Sequence, residues 1–153
     1  MISLRQVVRA DLDTLFSLDV APAQRDFVAP NAVTLAEVSY ITGGYAFSIR
    51  DGERIVGLLT LIDFREHEEL LDDDDPAAAF MLRLMIGAAH QHQGYGRATV
   101  ECAIDWARAR NNTRFQTSFA PANAAARRLY ESIGLRETGR IVEDEVEMSL
   151  DLG

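Results

Sequence analysis

The alternation of apolar and polar residues predicts β-strands in the first half of the chain. Residues 2–9 alternate with a period near two, which is typical of a strand with one buried face. The runs 45–50 and 54–62 flank Asp51-Gly52, a dipeptide that favours a tight type I′ hairpin turn. The run Phe80–Ile86 is almost wholly apolar and predicts a central strand that is buried on both faces.

Apolar residues at helical spacing predict four helices. The first two lie between strands one and two, where Thr34 and Glu37 form a capping box and Gly43-Gly44 is expected to end the second helix. A Schellman ending is expected at Gly134, after the fourth helix. The predicted helices are, in order, Asp11–Val20, a helix that begins at the Thr34 capping box, Gly94–Arg110 and Ala122–Ser132.

The order of these elements predicts the fold class. Phe115–Phe119 and about Val142–Leu152 complete the strands, and the acidic run Glu66–Asp75 is expected to be a solvated loop. The resulting order, β-α-α-β-β-β-α-β-α-β, places antiparallel hairpins beside βαβ crossovers. We therefore expect an α/β fold in which about four helices cover a central mixed β-sheet, within a single domain at residues 1–153.

Length and composition exclude several classes of protein. The chain has 153 residues, enough for one domain, and no apolar run approaches the roughly 18 residues that span a bilayer. The first residues lack the apolar core of a secretory signal, and Cys102, the only cysteine, cannot form an internal disulfide. We therefore expect a cytoplasmic protein with no membrane-spanning segment.

The charge distribution narrows the range of partners. Fifteen basic and 24 acidic residues give a net charge of −9, and the acidic excess is concentrated at 63–75 and 137–151. The negative potential of such a surface disfavours binding of nucleic acid and favours binding of a cationic small molecule. Acidic surfaces are also ordinary solubility features. All basic residues are arginine, and the absence of lysine excludes Walker-type P-loop proteins and Schiff-base enzymes.

The segment Met85–Arg97 carries the most informative candidate chemistry. A buried strand leads into a loop with Gly94 and Gly96, and the loop opens directly into a long helix. The glycines let successive N–H groups point outward and a helix N-terminus favours a phosphate, so a diphosphate is the expected ligand. The same spacing also fits a simple tight corner. A Rossmann motif is excluded, because its third glycine would fall at Thr99 and the loop does not follow the first strand.

The spacing of Gln91, Gly94 and Gly96 resembles the Gln/Arg-x-x-Gly-x-Gly/Ala motif of the GCN5-related N-acetyltransferase superfamily. The turn 121–123 and the helix 126–135 are similar to the later signature of that superfamily. The resemblance implies a mixed sheet with a splayed strand pair, acetyl-CoA as co-substrate, and direct transfer of the acetyl group to a primary amine.

The resemblance also implies which residues contact the co-substrate. Backbone amides of the central strand are expected to pair with pantetheine, the glycine loop to receive the pyrophosphate, and Tyr130 to protonate the departing thiolate. A backbone N–H near Met85 is expected to serve as oxyanion donor, and the general base is not identified. The implied binding residues are Leu84, Met85, Ile86, Gln91, His92, Gln93, Gly94, Tyr95, Gly96, Arg97, Asn123 and Tyr130.

Two loop positions depart from the superfamily pattern. Many members have glycine where this chain has His92 and a basic residue where it has Gln93, so the loop is bulkier and less cationic. Arg97 is expected to supply the missing charge. Two site residues also have a structural interpretation: Tyr130 as a residue that packs a helix face, and Asn123 as a helix N-cap.

Other polar side chains are interpreted as structural. Arg83, in the central strand, is expected to pair with a buried carboxylate or else to face the cleft. Cys102 is interpreted as a packing thiol. His90 and His92 lie two residues apart with no third ligand nearby, so no metal is assigned.

The acceptor amine is less clearly specified. The runs 20–31, 83–86 and 145–152 resemble bacterial spermine/spermidine acetyltransferases, and the acidic charge agrees with a polyamine. The alternatives are a peptide N-terminus, an antibiotic amine, or a non-catalytic regulator that binds acyl-CoA. No nucleic acid or membrane partner is expected, and a homodimer is left open.

Overall fold

The computed structural model describes residues 1–153 and contains one seven-stranded sheet. The strands are β1 (Ile2–Gln6), β2 (Gly44–Asp51), β3 (Arg54–Asp63), β4 (Ala78–Ile86), β5 (Arg114–Phe119), β6 (Arg136–Val142) and β7 (Glu145–Asp151). Their order in the sheet is β1-β2-β3-β4-β5-β7-β6. β4 and β5 are parallel and every other neighbouring pair is antiparallel, so the expected mixed sheet is confirmed.

Four α-helices and three short 3-10 turns accompany the sheet. The helices are α1 (Leu12–Ser17), α2 (Asn31–Val38), α3 (Tyr95–Ala109) and α4 (Ala124–Ile133). The 3-10 turns are Arg9–Asp11, Pro22–Gln24 and Ala88–His90. α3 contacts α4, β1, β4 and β5, whereas α1 and α2 contact each other and β3. No helix has the length and apolar character needed to cross a membrane.

The main apolar core lies between the sheet and the helices α3 and α4. Leu59 and Leu61 of β3 belong to it, and successive strand residues point to opposite faces. Leu58 and Thr60 therefore face the other way, toward α1 and α2. The buried stripe of α3 has the spacing that predicted this helix, and consists of Val100, Ala103, Ile104 and Ala107.

The end of the chain differs from the sequence prediction. The expected strand at about Val142–Leu152 is confirmed as β7, but the sequence pattern does not predict β6, which forms a hairpin with it. Glu143 and Asp144 at the turn have φ angles of +50° and +65°, the two positive values that a type I′ turn requires. Because neither residue is glycine or asparagine, the usual sequence signal of this turn is absent.

The second helix begins earlier than expected. α2 starts at Asn31, directly after Pro30, and Thr34 is a buried residue inside the helix. The N–H of Thr34 donates to the carbonyl of Pro30 at 3.1 Å, so the helix is already formed at this position and the expected capping box is wrong. The helix also ends at Val38, several residues before Gly43-Gly44.

Two further local predictions need correction. The central residues of the β2–β3 turn are Gly52 and Glu53, because Asp51 pairs with Arg54. Only Gly52 has a positive φ, +62°, which is the pattern of a type II′ turn and not of type I′. β4 is not buried on both faces, because most of its residues after Met81 are only half-buried.

Candidate active site

The parallel strands β4 and β5 separate halfway along β4. They pair only from Ala78 to Met81, which lies opposite Thr117. The hydroxyl of Thr117 closes this paired part by donating to the carbonyl oxygen of Met81 at 2.9 Å. Beyond this point β4 pairs with β3 alone, so a gap opens in the sheet toward Ile86.

A β-bulge in β4 accompanies the separation. Leu61 of β3 lies opposite Met81, whereas the preceding residue, Thr60, lies opposite Arg83. Leu82 therefore has no partner of its own. Because a bulge bends a strand and increases its twist, it favours the divergence of β4 from β5.

The backbone groups of Leu84 and Ile86 point into the gap. The N–H of Gly87 donates to β3 at 2.8 Å, and hydrogen bonds alternate along an antiparallel pair. Met85 therefore bonds to β3, while Leu84 and Ile86 direct their N–H and C=O groups to the other side. On that side the carbonyl of Ile86 accepts a hydrogen bond from Nε2 of Gln91 at 3.0 Å.

The glycine loop brings unpaired N–H groups to the end of the gap. Gly94 is the N-cap of α3, with a φ of +79°, and no side chain caps this helix. The N–H of Ala98 donates to the carbonyl of Gly94 at 3.1 Å as the first bond of the helix. The N–H groups of the first turn consequently have no helical partner, and together with the helix dipole they favour an anion.

Both glycines leave room for a ligand. A Cβ at Gly94 would meet nothing within 4 Å, and one at Gly96 would meet only Cδ2 of Leu129, at 3.7 Å. The positive φ of Gly94 favours glycine, whereas neither packing nor backbone conformation favours it at Gly96. Open space beside unpaired helix N–H groups suits a diphosphate, so the residues present fit acetyl-CoA.

His92 adopts a backbone conformation that favours glycine. Its φ is +62°, in the left-handed region. This conformation gives a physical reason for the glycine that many members of the superfamily have at this position. His90 and His92 both line the cleft described below, and no group of three or more potential metal ligands is present.

Gln91 connects the loop to the segment between α1 and α2. Its Nε2 donates to Oε1 of Gln24 at 2.7 Å as well as to the carbonyl of Ile86. Both hydrogens of the amide are therefore used within the protein. Gln91 positions the loop and has no side-chain donor left for a phosphate.

A cleft of about 260 Å³ runs along the gap. All of the binding residues implied by the superfamily resemblance line it, except Gln93 and Arg97. The segment between α1 and α2 and the first turns of α4 form its other walls. The lining residues are Val20, Gln24, Phe27, Val28, Leu84, Met85, Ile86, His90, Gln91, His92, Gly94, Tyr95, Gly96, Asn123, Ala125, Ala126, Leu129 and Tyr130.

The side chain of Arg97 is directed away from the cleft. Its Nη1 donates to Oγ of Ser132 at 2.8 Å, and its Nε lies 3.0 Å from Oε1 of Glu101. The charge is thus engaged by α3 and α4, which differs from the expectation that Arg97 adds positive charge to the loop. Tyr95 lines the cleft, and its hydroxyl donates to Oδ2 of Asp51 at 2.5 Å.

Residues next to α4 in the sequence determine where this helix begins and ends. Oδ1 of Asn123 accepts a hydrogen bond from the N–H of Ala126 at 3.2 Å, which confirms the N-cap. At the other end Gly134 has a φ of +117°, and the N–H of Leu135 donates to the carbonyl of Tyr130 at 3.0 Å. The Schellman ending is therefore confirmed.

The packing interpretation of Tyr130 is confirmed, and its role as proton donor stays a prediction. It is 7% exposed and packs against Phe119, with ring centroids 6.3 Å apart, and it also lines the cleft. Burial raises the pKa of Tyr130 to about 12. The side chain is therefore a protonated phenol at neutral pH, and its burial makes it a weaker acid than an exposed tyrosine.

A smaller cavity of about 70 Å³ adjoins the cleft at Leu84 and Tyr130. In it Oγ of Ser118 donates to Oε1 of Glu145 at 2.7 Å. The sequence analysis does not identify these two residues, because they are 27 positions apart and only the pairing of β5 with β7 brings them together. The lining residues are Phe27, Val28, Met81, Leu82, Arg83, Leu84, Thr117, Ser118, Phe119, Ala120, Asn123, Ala126, Tyr130 and Glu145.

Arg83 pairs with a carboxylate and also lines this second cavity. Its Nη2 is 3.3 Å from Oε2 of Glu37 on α2. The expected partner was a buried carboxylate, but the side chain of Glu37 is 47% exposed and that of Arg83 is 30% exposed. The ion pair is confirmed, and its burial is not.

Cys102 lies on α3, outside both cavities. Its thiol is half-buried and contacts the carbonyl of Ile2 at 3.9 Å. Burial raises the pKa of the thiol, which disfavours the reactive thiolate. This environment agrees with a packing residue.

A sheet that opens between parallel strands beside an uncapped helix N-terminus has the architecture of a transferase that binds an acyl-CoA thioester. The family model described as "Acetyltransferase (GNAT) family" matches residues 12–135, which is most of the chain. The chain belongs to this family. It is an N-acetyltransferase with acetyl-CoA as co-substrate.

Solved structures of acetyltransferases share the fold. Spermidine N-acetyltransferase from Vibrio cholerae, in complex with CoA and spermine, is 21% identical with a TM-score of 0.74 over 98% of this chain and 95% of that chain. An aminoglycoside acetyltransferase in complex with coenzyme A is 17% identical with a TM-score of 0.81 over 99% and 95%. The ribosomal-protein-S18-alanine N-acetyltransferase from Escherichia coli is 19% identical with a TM-score of 0.71 over 100% and 95%. At these identities the likeness shows the fold alone, and no curated protein sequence gives a significant match.

Proposed function

We propose that the protein transfers the acetyl group of acetyl-CoA directly to the primary amine of a small molecule. The observation that carries the proposal is the gap between β4 and β5, which ends at the unpaired N–H groups of α3 and has Tyr130 in its wall. An acceptor amine in the smaller, adjoining cavity would be able to reach the carbonyl carbon of a thioester bound in this gap.

The co-substrate is proposed to bind as an added strand beside β4. The N–H and C=O groups of Leu84 and the N–H of Ile86, which point into the gap, are available for pantetheine, whereas the carbonyl of Ile86 already accepts from Gln91. The backbone N–H groups in the first turn of α3 would hold the pyrophosphate. Gln93 and Arg97 would contribute through their backbone, and the other proposed contacts are Met85, Gln91, His92, Gly94, Tyr95, Gly96, Asn123 and Tyr130.

Two side chains are proposed to move protons during the transfer. Acetyl-CoA supplies an acetyl group that is activated as a thioester. The carboxylate of Glu145 accepts the proton that the acceptor ammonium loses before its nitrogen bonds to the acetyl carbon, and the phenol of Tyr130 gives its proton to sulfur as the carbon–sulfur bond breaks. The second proton, which the nitrogen loses as the amide forms, restores the Tyr130 phenol through water, and Glu145 releases its proton to solvent. The N–H of Leu84 or Ile86 would stabilise negative charge on the acetyl oxygen; the N–H of Met85 is bonded to β3.

Release of free thiol from acetyl-CoA, measured across a panel of amines, tests the proposed function. Thiol release that occurs only when an amine is present supports the proposed acetyl transfer. Tight binding of acetyl-CoA without release for any amine would instead show a regulator that binds acyl-CoA and has no turnover.

The assignment of Glu145 as base has its own test. Glu145→Gln is expected to lower kcat at neutral pH and to leave the Kd of acetyl-CoA unchanged, because the carboxylate lies in the second cavity and not in the co-substrate cleft. Raising the pH deprotonates the acceptor amine in solution and is expected to restore part of the rate. A variant with full activity at neutral pH would exclude Glu145 as the base.

A polyamine such as spermidine or spermine is one candidate acceptor within this proposal. The net charge of −9 and the spermidine acetyltransferase of the same fold support it. However, the acidic run 66–75 precedes β4 and lies at the end of that strand opposite to the cleft, and Glu145 is the only acidic residue that lines either cavity. A peptide N-terminus and an aminoglycoside amine are the other candidates.

We further propose that residues 1–153 act as one acetyltransferase domain in the cytoplasm. One sheet carries both the main core and the cleft, which supports a single folding unit. Sedimentation of the purified protein distinguishes a monomer from a homodimer.

A further inference from the structure

One face of the sheet is only partly covered by helices. α1 and α2 contact β3 on this face, while β5 and β7 lie beside the area that these helices cover. Phe119 and Val146 are opposite each other and belong to the core with α3 and α4. Their neighbours Ser118 and Glu145 therefore point to the partly covered face, because successive strand residues alternate.

Arg83 lies on the same face, on the other side of the gap from Glu145. Its side chain reaches Glu37 of α2 through Nη2 alone. Its Nε is buried without a hydrogen-bond partner, and its Nη1 makes no hydrogen bond within the protein. The guanidinium therefore keeps unused donors, and Arg83 is one of the residues that line the second cavity.

The ion pair with Glu37 does not explain why the positively charged side chain of Arg83 lies at this position. The contact is single and both side chains are partly exposed, and such pairs contribute little to stability. Unpaired buried polar groups are unfavourable unless a ligand or water satisfies them.

We infer that the acceptor carries an anionic group, a carboxylate or a phosphate, in addition to its primary amine. The inference rests on the proposed function and specifies its acceptor: the amine lies toward Glu145 and the anion binds Arg83. A guanidinium presents a fork of N–H donors that matches either anion. A polycation would instead bring a further positive charge toward Arg83.

Acceptors that share one carbon-chain length and differ in terminal charge test the inference. We expect kcat/KM for γ-aminobutyrate to exceed that for butylamine and for putrescine by about 10–100-fold, the size of a hydrogen bond to a charged group. Aminoethyl phosphate compared with ethanolamine determines whether phosphate replaces carboxylate. Equal use of all acceptors, or preference for putrescine, would overturn the inference while leaving the proposed function intact.

Arg83→Gln and Glu37→Gln form a matched pair of variants. Each removes the ion pair, but only the first removes the guanidinium. In Arg83→Gln the ratio of kcat/KM for γ-aminobutyrate to that for butylamine is expected to fall by about 10–100-fold. In Glu37→Gln the ratio is expected to be maintained, and an equal fall in both variants would assign Arg83 a structural role and overturn the inference.

A binding measurement separates this inference from the proposed function. With CoA present, calorimetry is expected to show that γ-aminobutyrate binds the wild-type protein and binds Arg83→Gln more weakly. Failure of every amine to release thiol would overturn the proposed function, and the calorimetric comparison would still decide whether Arg83 binds the anion.

Discussion

Substitution by alanine separates the two glycines of the loop at the level of single residues. Gly94→Ala is expected to lower the free energy of unfolding by about 1–2 kcal/mol, because its φ of +79° is unfavourable for a residue with a Cβ. Gly96→Ala is expected to raise the same quantity by about 0.5–1 kcal/mol, because glycine is a poor helix former. Yet its new methyl group enters the space where the diphosphate is proposed to bind, so acetyl-CoA affinity should fall.

Urea denaturation measures the two stabilities, and calorimetry measures the affinity. Gly96→Val, with its bulkier branched side chain, is expected to weaken acetyl-CoA binding further. Unchanged affinity in both Gly96 variants would show that the loop is only a tight corner.

The hydroxyl of Tyr130 is the second group that a single-residue change can test. Tyr130→Phe keeps the ring that packs against Phe119 and removes only the proton donor. We expect kcat to fall about 10²-fold, toward the lower end of the range for general acids, because a thiolate is a good leaving group. The Kd of acetyl-CoA should hardly change, as steady-state kinetics and calorimetry would show.

The pKa of Tyr130 adds a constraint on the pH profile. Because burial raises this pKa to about 12, the side chain of Tyr130 stays protonated throughout the neutral range. Wild-type activity is therefore not expected to decline between pH 7 and 10 through ionisation of Tyr130. A loss of acetyl-CoA affinity in Tyr130→Phe that matches the loss of rate would make the hydroxyl a binding contact and not an acid.

At the level of elements, Asp63 connects the end of β3 to the end of α3. Its side chain is fully buried and accepts hydrogen bonds from Nη2 of Arg65 at 2.8 Å, Nδ2 of Asn112 at 3.0 Å and Nε of Arg110 at 3.1 Å. Burial alone would raise the pKa of Asp63, but these hydrogen bonds outweigh it and hold the pKa well below its usual value.

Asp63→Asn is expected to lower the free energy of unfolding by about 1–3 kcal/mol, because it removes the buried carboxylate that accepts hydrogen bonds from two partly exposed arginines. Asp73→Asn, in the exposed acidic loop, is the control with no expected change. For wild type, the contribution of Asp63 is complete above its unfolded pKa near 3.9 and is lost as the pH falls toward the lower folded value. The difference in urea midpoint between wild type and Asp63→Asn should therefore stay constant from pH 7 to about pH 5 and begin to narrow between pH 4 and pH 3.

Several local sequence signals predict their elements correctly, although the Thr34 capping box and the type I′ turn at Asp51-Gly52 are local predictions that are wrong. The apolar stripe of α3, the N-cap Asn123 and the Schellman ending at Gly134 each depend on residues within one or two turns, and the structure confirms them. The glycine loop is local in the same sense, so its place at the end of a strand could also be predicted from the sequence.

Contacts between distant strands could not be predicted in this way. Ser118 meets Glu145 only because β5 pairs with β7, and Arg97 meets Ser132 only because α3 packs beside α4. The sequence pattern does not predict β6 for a different reason. The turn that joins β6 to β7 holds Glu143 in a positive-φ conformation that this residue type seldom adopts. The sequence alone therefore does not predict that Glu145 lies beside Ser118 in the second cavity.

For the whole molecule, binding of acetyl-CoA is expected to appear as added stability. A ligand that binds only the folded state at 100 times its Kd adds about 2.7 kcal/mol, which corresponds to a rise in Tm of about 5–10 °C for a chain of this size. Thermal denaturation with acetyl-CoA, NADH and ATP checks this. A response to NADH with none to CoA would contradict the assignment of the co-substrate.

The gap between β4 and β5 has a consequence for hydrogen exchange. In most sheets the amides of a central strand exchange slowest, yet here the N–H groups of Leu84 and Ile86 have no strand partner, whereas that of Met85 bonds to β3. In the free protein we expect fast exchange at Leu84 and Ile86 on either side of a slow Met85. If acetyl-CoA completes the sheet as an additional strand, all three should become slow. The middle of this sheet would then contain amides as poorly protected as those of an edge strand until the co-substrate binds.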